Sequence, residues 1–263
     1  MIKLLASLAL AAVLNPATLV TPGTERTLTL PPAAENAAVI SLGEAVDVET
    51  GLIVEGYALI QRQGSAKPAH VGGGNGGSTA NACYTFMARG AKWKVVEPWA
   101  VNPINTSGLD EAWVTSNLGA SVDKWEAAAG TDILGPHEQT SALLSADTTA
   151  PDGVNEVLFG EISEPGVIGV TIVWGVFGGP TQNRQLIEWD QVYDEVDFGW
   201  SAVGETNKMD FENISTHELG HTIGLSHPAD TCAEESMYRY ADYGETIRRD
   251  LHAGDIAGAA ALY

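Results

Sequence analysis

Six histidines occur in this chain of 263 residues, and three of them fall in the stretch HELGHTIGLSH at 217–227. His217 and His221 are four apart. On a helix that spacing stacks two imidazoles on one face, about one turn from each other. Two ring nitrogens so placed can reach one metal ion at about 2.0–2.1 Å, the usual zinc–imidazole distance. Glu218 leaves the helix on a neighbouring face, where a carboxylate can address a metal-held water without being a ligand. Gly224 offers the positive φ that a sharp helix end requires. The turn it permits brings His227 back as a third ligand, and Pro228 keeps the helix from resuming.

Ser215-Thr216-His217-Glu218 also fits a capping box, with Glu218 as a structural partner at a helix start. Taken singly, each histidine is an ordinary surface or core residue. The joint pattern H-E-x-x-H-x-x-G-x-x-H fixes five residues, and chance produces it on the order of once in millions of start positions.

These side chains need a scaffold. A helix is expected over 211–223 to carry the motif. A second is expected over 109–130, where Val114, Leu118, Val122 and Trp125 recur at three- and four-residue steps and Gly130 supplies a stop. A short Ala-rich helix closes the chain at 253–263. Residues 92–101, 155–162, 166–174 and 185–193 read as strands, with Pro98 pushing the first toward an edge or a bulge. The class is α+β.

All seven tryptophans and all five phenylalanines follow residue 83, which places the main folded body at 83–263. Residues 24–70 carry short strand-like runs, AVISL and GLIVEGYALIQ, and form a small β-rich appendage or a pro-segment. A glycine-rich linker at 71–82 separates the two. At the N-terminus, Lys3 precedes an apolar run broken by Asn15-Pro16, the pattern of a secretory signal over 1–20. The run is too short to span a bilayer as a helix. With 13 basic and 34 acidic residues, the formal charge of −21 argues against nucleic acid or anionic membranes as partners. Export favours a disulfide between the two cysteines, Cys83 and Cys232.

The zinc motif is the signature of the metzincin peptidases. Met237, ten residues past His227, fits the methionine turn found beneath the metal in that family. Among metzincins the chain most resembles the matrixins over roughly 83–263. SMY at 236–238 is similar to their Met-Tyr turn. Asp255, Ile256, Gly258, Leu262 and Tyr263 match their closing helix. The resemblance implies a twisted mixed sheet with long helices, the zinc helix at a cleft, and a small C-terminal subdomain. It implies one catalytic zinc on His217, His221 and His227, and a zinc-bound water activated by Glu218 as general base. It also implies a protein or peptide substrate lying extended along an edge strand at 166–174. The expected protein is a secreted, monomeric zinc endopeptidase.

The chain departs from the matrixin pattern in two ways. It has no second histidine cluster for a structural zinc, since His137 and His252 stand alone, and it lacks the Pro-Arg-Cys-Gly switch of matrixin propeptides. Cys83, just upstream of the body, could instead of pairing reach the zinc as an inhibitory thiolate. Tyr238 and Tyr240 could line the cleft. Asp190, Asp194, Glu195 and Asp197 form either a calcium site of the kind matrixin loops carry or a solvated acidic turn. The competing functions are a catalytically silent binding module and a zinc hydrolase of a non-protein bond.

Overall fold

The apolar face read at 109–130 is the face that packs. Val114, Leu118, Val122 and Trp125 are all buried along α1 (Glu111–Ala129). Asp110 caps its first turn by accepting from the Trp113 N–H, and Gly130 ends it at φ 75°. The motif helix is α2 (Phe211–Thr222), and the closing helix is α3 (Ala253–Leu262). The computed structural model describes residues 26–34, 36–64 and 83–263. The leader expected over 1–20 and the linker expected over 71–82 lie outside the described residues.

The strands are β1 (Thr27–Leu28), β2 (Val39–Val46), β3 (Ile53–Gln63), β4 (Thr85–Phe86), β5 (Glu97–Asn102), β6 (Leu134–Gln139), β7 (Asn155–Ile162), β8 (Val167–Val176), β9 (Gln185–Asp194), β10 (Trp200–Ser201), β11 (Met209–Asp210), β12 (Leu225–Ser226) and β13 (Tyr240–Ala241). The main sheet runs β13-β3-β8-β9-β7-β5-β6, with β2 added to β3 and β1 to β7. Pairings among β6, β5, β7 and β9 are parallel, whereas β8 is antiparallel to β9. The result is an α+β fold with a mixed sheet. Its helix-covered face buries Trp99, Trp125, Trp189, Tyr193 and Trp200 together with residues of all three helices. The opposite face buries Val54, Ile60, Val170, Ile172 and Trp174 beneath Leu28 and Leu144.

Two expectations change, and at Pro98 the bulge is the alternative that holds. Residues 166–174 are not at a sheet edge, because β3 pairs with β8 along its length, from Glu55↔Gly175 to Arg62↔Val167. The appendage read over 24–70 does not stand apart within the described residues: β2 and β3 extend the main sheet, and Val54, Ala58 and Ile60 enter its second core. Pro98 lies on an interior strand, where the register with β6 shifts between Glu97 and Trp99, so the bulge accommodates the missing donor.

Candidate active site

α2 begins at the Asp210 cap, whose carboxylate accepts from the Asn213 N–H at 3.0 Å. The helix start therefore lies well before Ser215, and Glu218 sits mid-helix rather than in a capping box. Every residue of α2 except Glu212 is buried. Indole donors hold it from α1 and from the loop before β5. Trp125 Nε1 donates to the Thr216 carbonyl at 2.8 Å, and Trp93 Nε1 to the Thr222 carbonyl at 2.7 Å. Gly224 has φ 102°, and its turn leads into β12, which pairs antiparallel with β4.

The turn brings His227 to the other two histidines. The three Nε2 atoms lie 3.1 to 3.2 Å from one another. Tetrahedral zinc with bonds of about 2.0–2.1 Å would hold ligand nitrogens roughly 3.3–3.4 Å apart, so the donor set fits the ion. Orientation is set from behind. His217 Nδ1 lies 2.6 Å from the Ser236 carbonyl, and His221 Nδ1 lies 2.9 Å from the Leu225 carbonyl. A carbonyl only accepts, so each Nδ1 carries the proton and each Nε2 presents its lone pair inward. Burial holds all three imidazoles below the usual histidine range, and their mutual repulsion lowers His217 and His227 further. All three are therefore neutral, the form in which an imidazole can ligate a metal.

Met237 packs beneath the helix. A Cβ on Gly220 would overlap Met237 Sδ and press on Trp125, so only glycine permits this approach. Asp255 at the start of α3 fixes the turn. Its carboxylate accepts from the N–H groups of Ser236 at 2.7 Å, Met237 at 3.2 Å and His252 at 2.9 Å. Asp255 thus positions the Ser236 carbonyl that orients His217.

Glu218 is fully buried. Thr171 on β8 donates from Oγ1 to Glu218 Oε2 at 2.6 Å, while Glu218 Oε1 has no partner. Burial pushes the carboxyl up to about 8, and the Thr171 hydroxyl pulls it back. Thr171 was not singled out from sequence, since nothing local marks one threonine in a strand as the partner of a glutamate 47 residues on.

Cys83 and Cys232 form a disulfide with a Cα–Cα distance of 5.6 Å, so Cys83 is not a thiolate aimed at the metal site. His137 packs on Trp99, and His252 lies 3.1 Å from the Ile247 carbonyl. Tyr238 and Tyr240 lie against each other beside Arg248 and Arg239. The acidic group separates. Asp194 accepts from the N–H groups of Ile162, Val196 and Asp197, and Glu195 from that of Thr106, so both shape loops. Asp190 instead gathers with Asp147 and Glu188, oxygens within 4.8 Å of one another. Each of the three keeps one buried oxygen without a partner. This trio was missed because Asp147 approaches from a distant loop.

A buried histidine pair on a helix, a third histidine beyond a glycine turn, and a methionine turn beneath them define a metzincin-type metallopeptidase site. The sequence profile of the matrixin family matches residues 99–263, and the chain belongs to this family. Membership carries zinc-dependent peptidase chemistry and agrees with the three-histidine donor set. No curated protein gives a match to the chain.

Proposed function

We propose that the protein is a secreted zinc endopeptidase in which Glu218 is the general base. The observation that supports this best is the convergence of three neutral Nε2 atoms, 3.1 to 3.2 Å apart, beside a buried carboxylate with one oxygen free. Zinc held by His217, His221 and His227 would supply Lewis-acid polarisation of a peptide carbonyl and acidify water in the site. Glu218 Oε1 takes the proton of the attacking water, while Thr171 keeps the carboxylate from rotating away. Glu218 then returns that proton to the leaving amine. Met237 does no chemistry and keeps the floor of the site apolar.

The substrate is an extended segment of a protein or peptide lying beside the three histidines. Secretion rests on the leader pattern and on the disulfide, which an oxidising compartment sustains. Asp147, Glu188 and Asp190 would take a calcium ion, a hard cation that prefers oxygen ligands.

The test is casein cleavage by the zinc-loaded chain, intact and after an engineered cut between residues 72 and 79, with Glu218→Ala in parallel. Wild type should cleave in at least one form and Glu218→Ala in neither, with one zinc bound in each. Zinc in both and cleavage by neither would end the peptidase reading.

A further inference from the structure

We propose that Gln191 and Tyr193 of β9 are positioning residues for the general base, forming a buried line of donors that reaches the Glu218 carboxylate through Thr171. The inference rests on the peptidase reading above and concerns how that base is held.

The register of the sheet sets these residues out beneath α2. β8 and β9 pair antiparallel, with Thr171 opposite Gln191 and Gly169 opposite Tyr193. Directly paired residues project on the same side of a sheet, with Cβ atoms about 4.5–5.5 Å apart. Thr171 meets Glu218, and Tyr193 packs on Phe211, so this side is the one that α2 covers. Gly169 leaves the room that the base occupies: a Cβ there would lie 2.7 Å from Glu218 Oε1. Thr171, Gln191 and Tyr193 are all fully buried. The next residues across the sheet, Val157 and Phe159, are apolar, so the polar side chains are confined to the two strands beside the base.

The donors run one way. Tyr193 Oη donates to Gln191 Oε1 at 2.8 Å. Burial raises the phenol well above its ordinary value, and the Glu218 charge raises it further, so it keeps the proton that it donates. With its oxygen engaged, the Gln191 amide has Nε2 left to offer, and that nitrogen is buried without a partner among the described residues. Buried donors are normally satisfied. Thr171 Oγ1, on the residue directly opposite, gives its one proton to Glu218 Oε2 at 2.6 Å and keeps lone pairs with which to accept. A small shift of the Gln191 side chain brings Nε2 onto Oγ1 and completes the line from Tyr193 through Gln191 and Thr171 to Glu218. Each donor polarises the next, so the bond that the carboxylate receives is stronger than Thr171 alone would make it. That bond fixes Oε2 and leaves Oε1 free for the attacking water.

Tyr193→Phe deletes only the hydroxyl, and Gln191→Met deletes the amide at nearly constant length. With zinc-loaded chain and a fluorogenic peptide, Gln191→Met should lower kcat about fivefold and Tyr193→Phe about threefold, with KM and zinc content unchanged. In a Thr171→Val background, Gln191→Met should cost less than about twofold more, because its route to Glu218 is already cut. An undiminished loss on top of Thr171→Val would overturn the proposal while leaving the peptidase reading in place. So would losses that appear in KM and zinc content as much as in kcat. If Gln191→Met fails to fold, Tyr193→Phe with and without Thr171→Val decides in the same way. A second readout needs no catalysis. In metal-free chain carrying isotope-labelled glutamine, the side-chain amide of Gln191 is followed by nuclear magnetic resonance. One of its protons should resonate downfield and exchange slowly, and both Thr171→Val and Tyr193→Phe should move it upfield. That result supports the line to Glu218 even if wild type cleaved nothing, which would end the peptidase reading alone. An amide resonance that Thr171→Val leaves in place overturns the proposal.

Discussion

At the residue scale, positioning carries as much of the site as ligation does. Thr171 holds one oxygen of Glu218, and Asp255 reaches His217 through the Ser236 carbonyl. Thr171→Val removes the hydroxyl with little change of shape. We expect kcat to fall about tenfold with zinc content unchanged, since losing a charged hydrogen bond of this kind costs about 1.5 kcal/mol. A parallel loss of zinc would show that Thr171 supports the fold of the site rather than the base. Asp255→Ala strips the acceptor from three backbone donors, and urea denaturation should show a loss of about 3 kcal/mol. Zinc affinity should fall roughly tenfold, in the manner of other outer-shell partners. Unaltered zinc affinity would confine Asp255 to stability. The ligands and Glu218 were legible because helical periodicity is local. Thr171 was not, because only the packing of β8 against α2 brings it to Glu218.

At the element scale, the disulfide ties two distant parts of the chain together beside the site. Cys83 and Cys232 are 149 residues apart, and they anchor β4 beside β12, the strand that carries the chain from Gly224 to His227. Loop-closure entropy for such a span gives up to about 5 kcal/mol of stabilisation. Cys83→Ser with Cys232→Ser should therefore lower the urea midpoint strongly, and it should weaken zinc binding through His227 more than through α2. A stability loss under about 1 kcal/mol would mean the reduced chain already holds these ends together. The helices were legible almost to the residue: 109–130 became Glu111–Ala129, and 211–223 became Phe211–Thr222. Strand partners were not. β6, LGPHEQ, has little β character and exists because it pairs with β5. The run at 51–61 read as a strand but carried no sign of its neighbour, since a period of two tells which faces are apolar and not which edge is filled.

At the scale of the whole molecule, the charge of −21 is unevenly stored. Glu156, Glu188, Asp190 and Asp147 crowd the sheet face opposite the helices, each raised first by burial and then by its acidic neighbours. Glu188 moves from an ordinary 4.5 to about 8, and Glu156 to about 7. An acid raised on folding binds its proton more tightly in the native state. Its contribution to stability is complete below about pH 4.5, and it is lost as pH rises through 7 and 8. Metal-chelated protein should therefore melt at a lower temperature at pH 8 than the rest of its carboxylates would dictate. A cation that replaces the protons reverses this. Millimolar calcium should raise Tm by about 5–10 °C at pH 8, as saturating a site to a hundredfold over its Kd does for a chain of this size. At pH 5 the gain should be much smaller, because protons already occupy the carboxylates. Asp190→Asn separates this cluster from the general surface charge. It should abolish most of the calcium response and flatten the fall in Tm between pH 5 and 8. A calcium response that survives Asp190→Asn would move the ion elsewhere on the acidic surface, and the trio would then be a set of shared protons rather than a metal site.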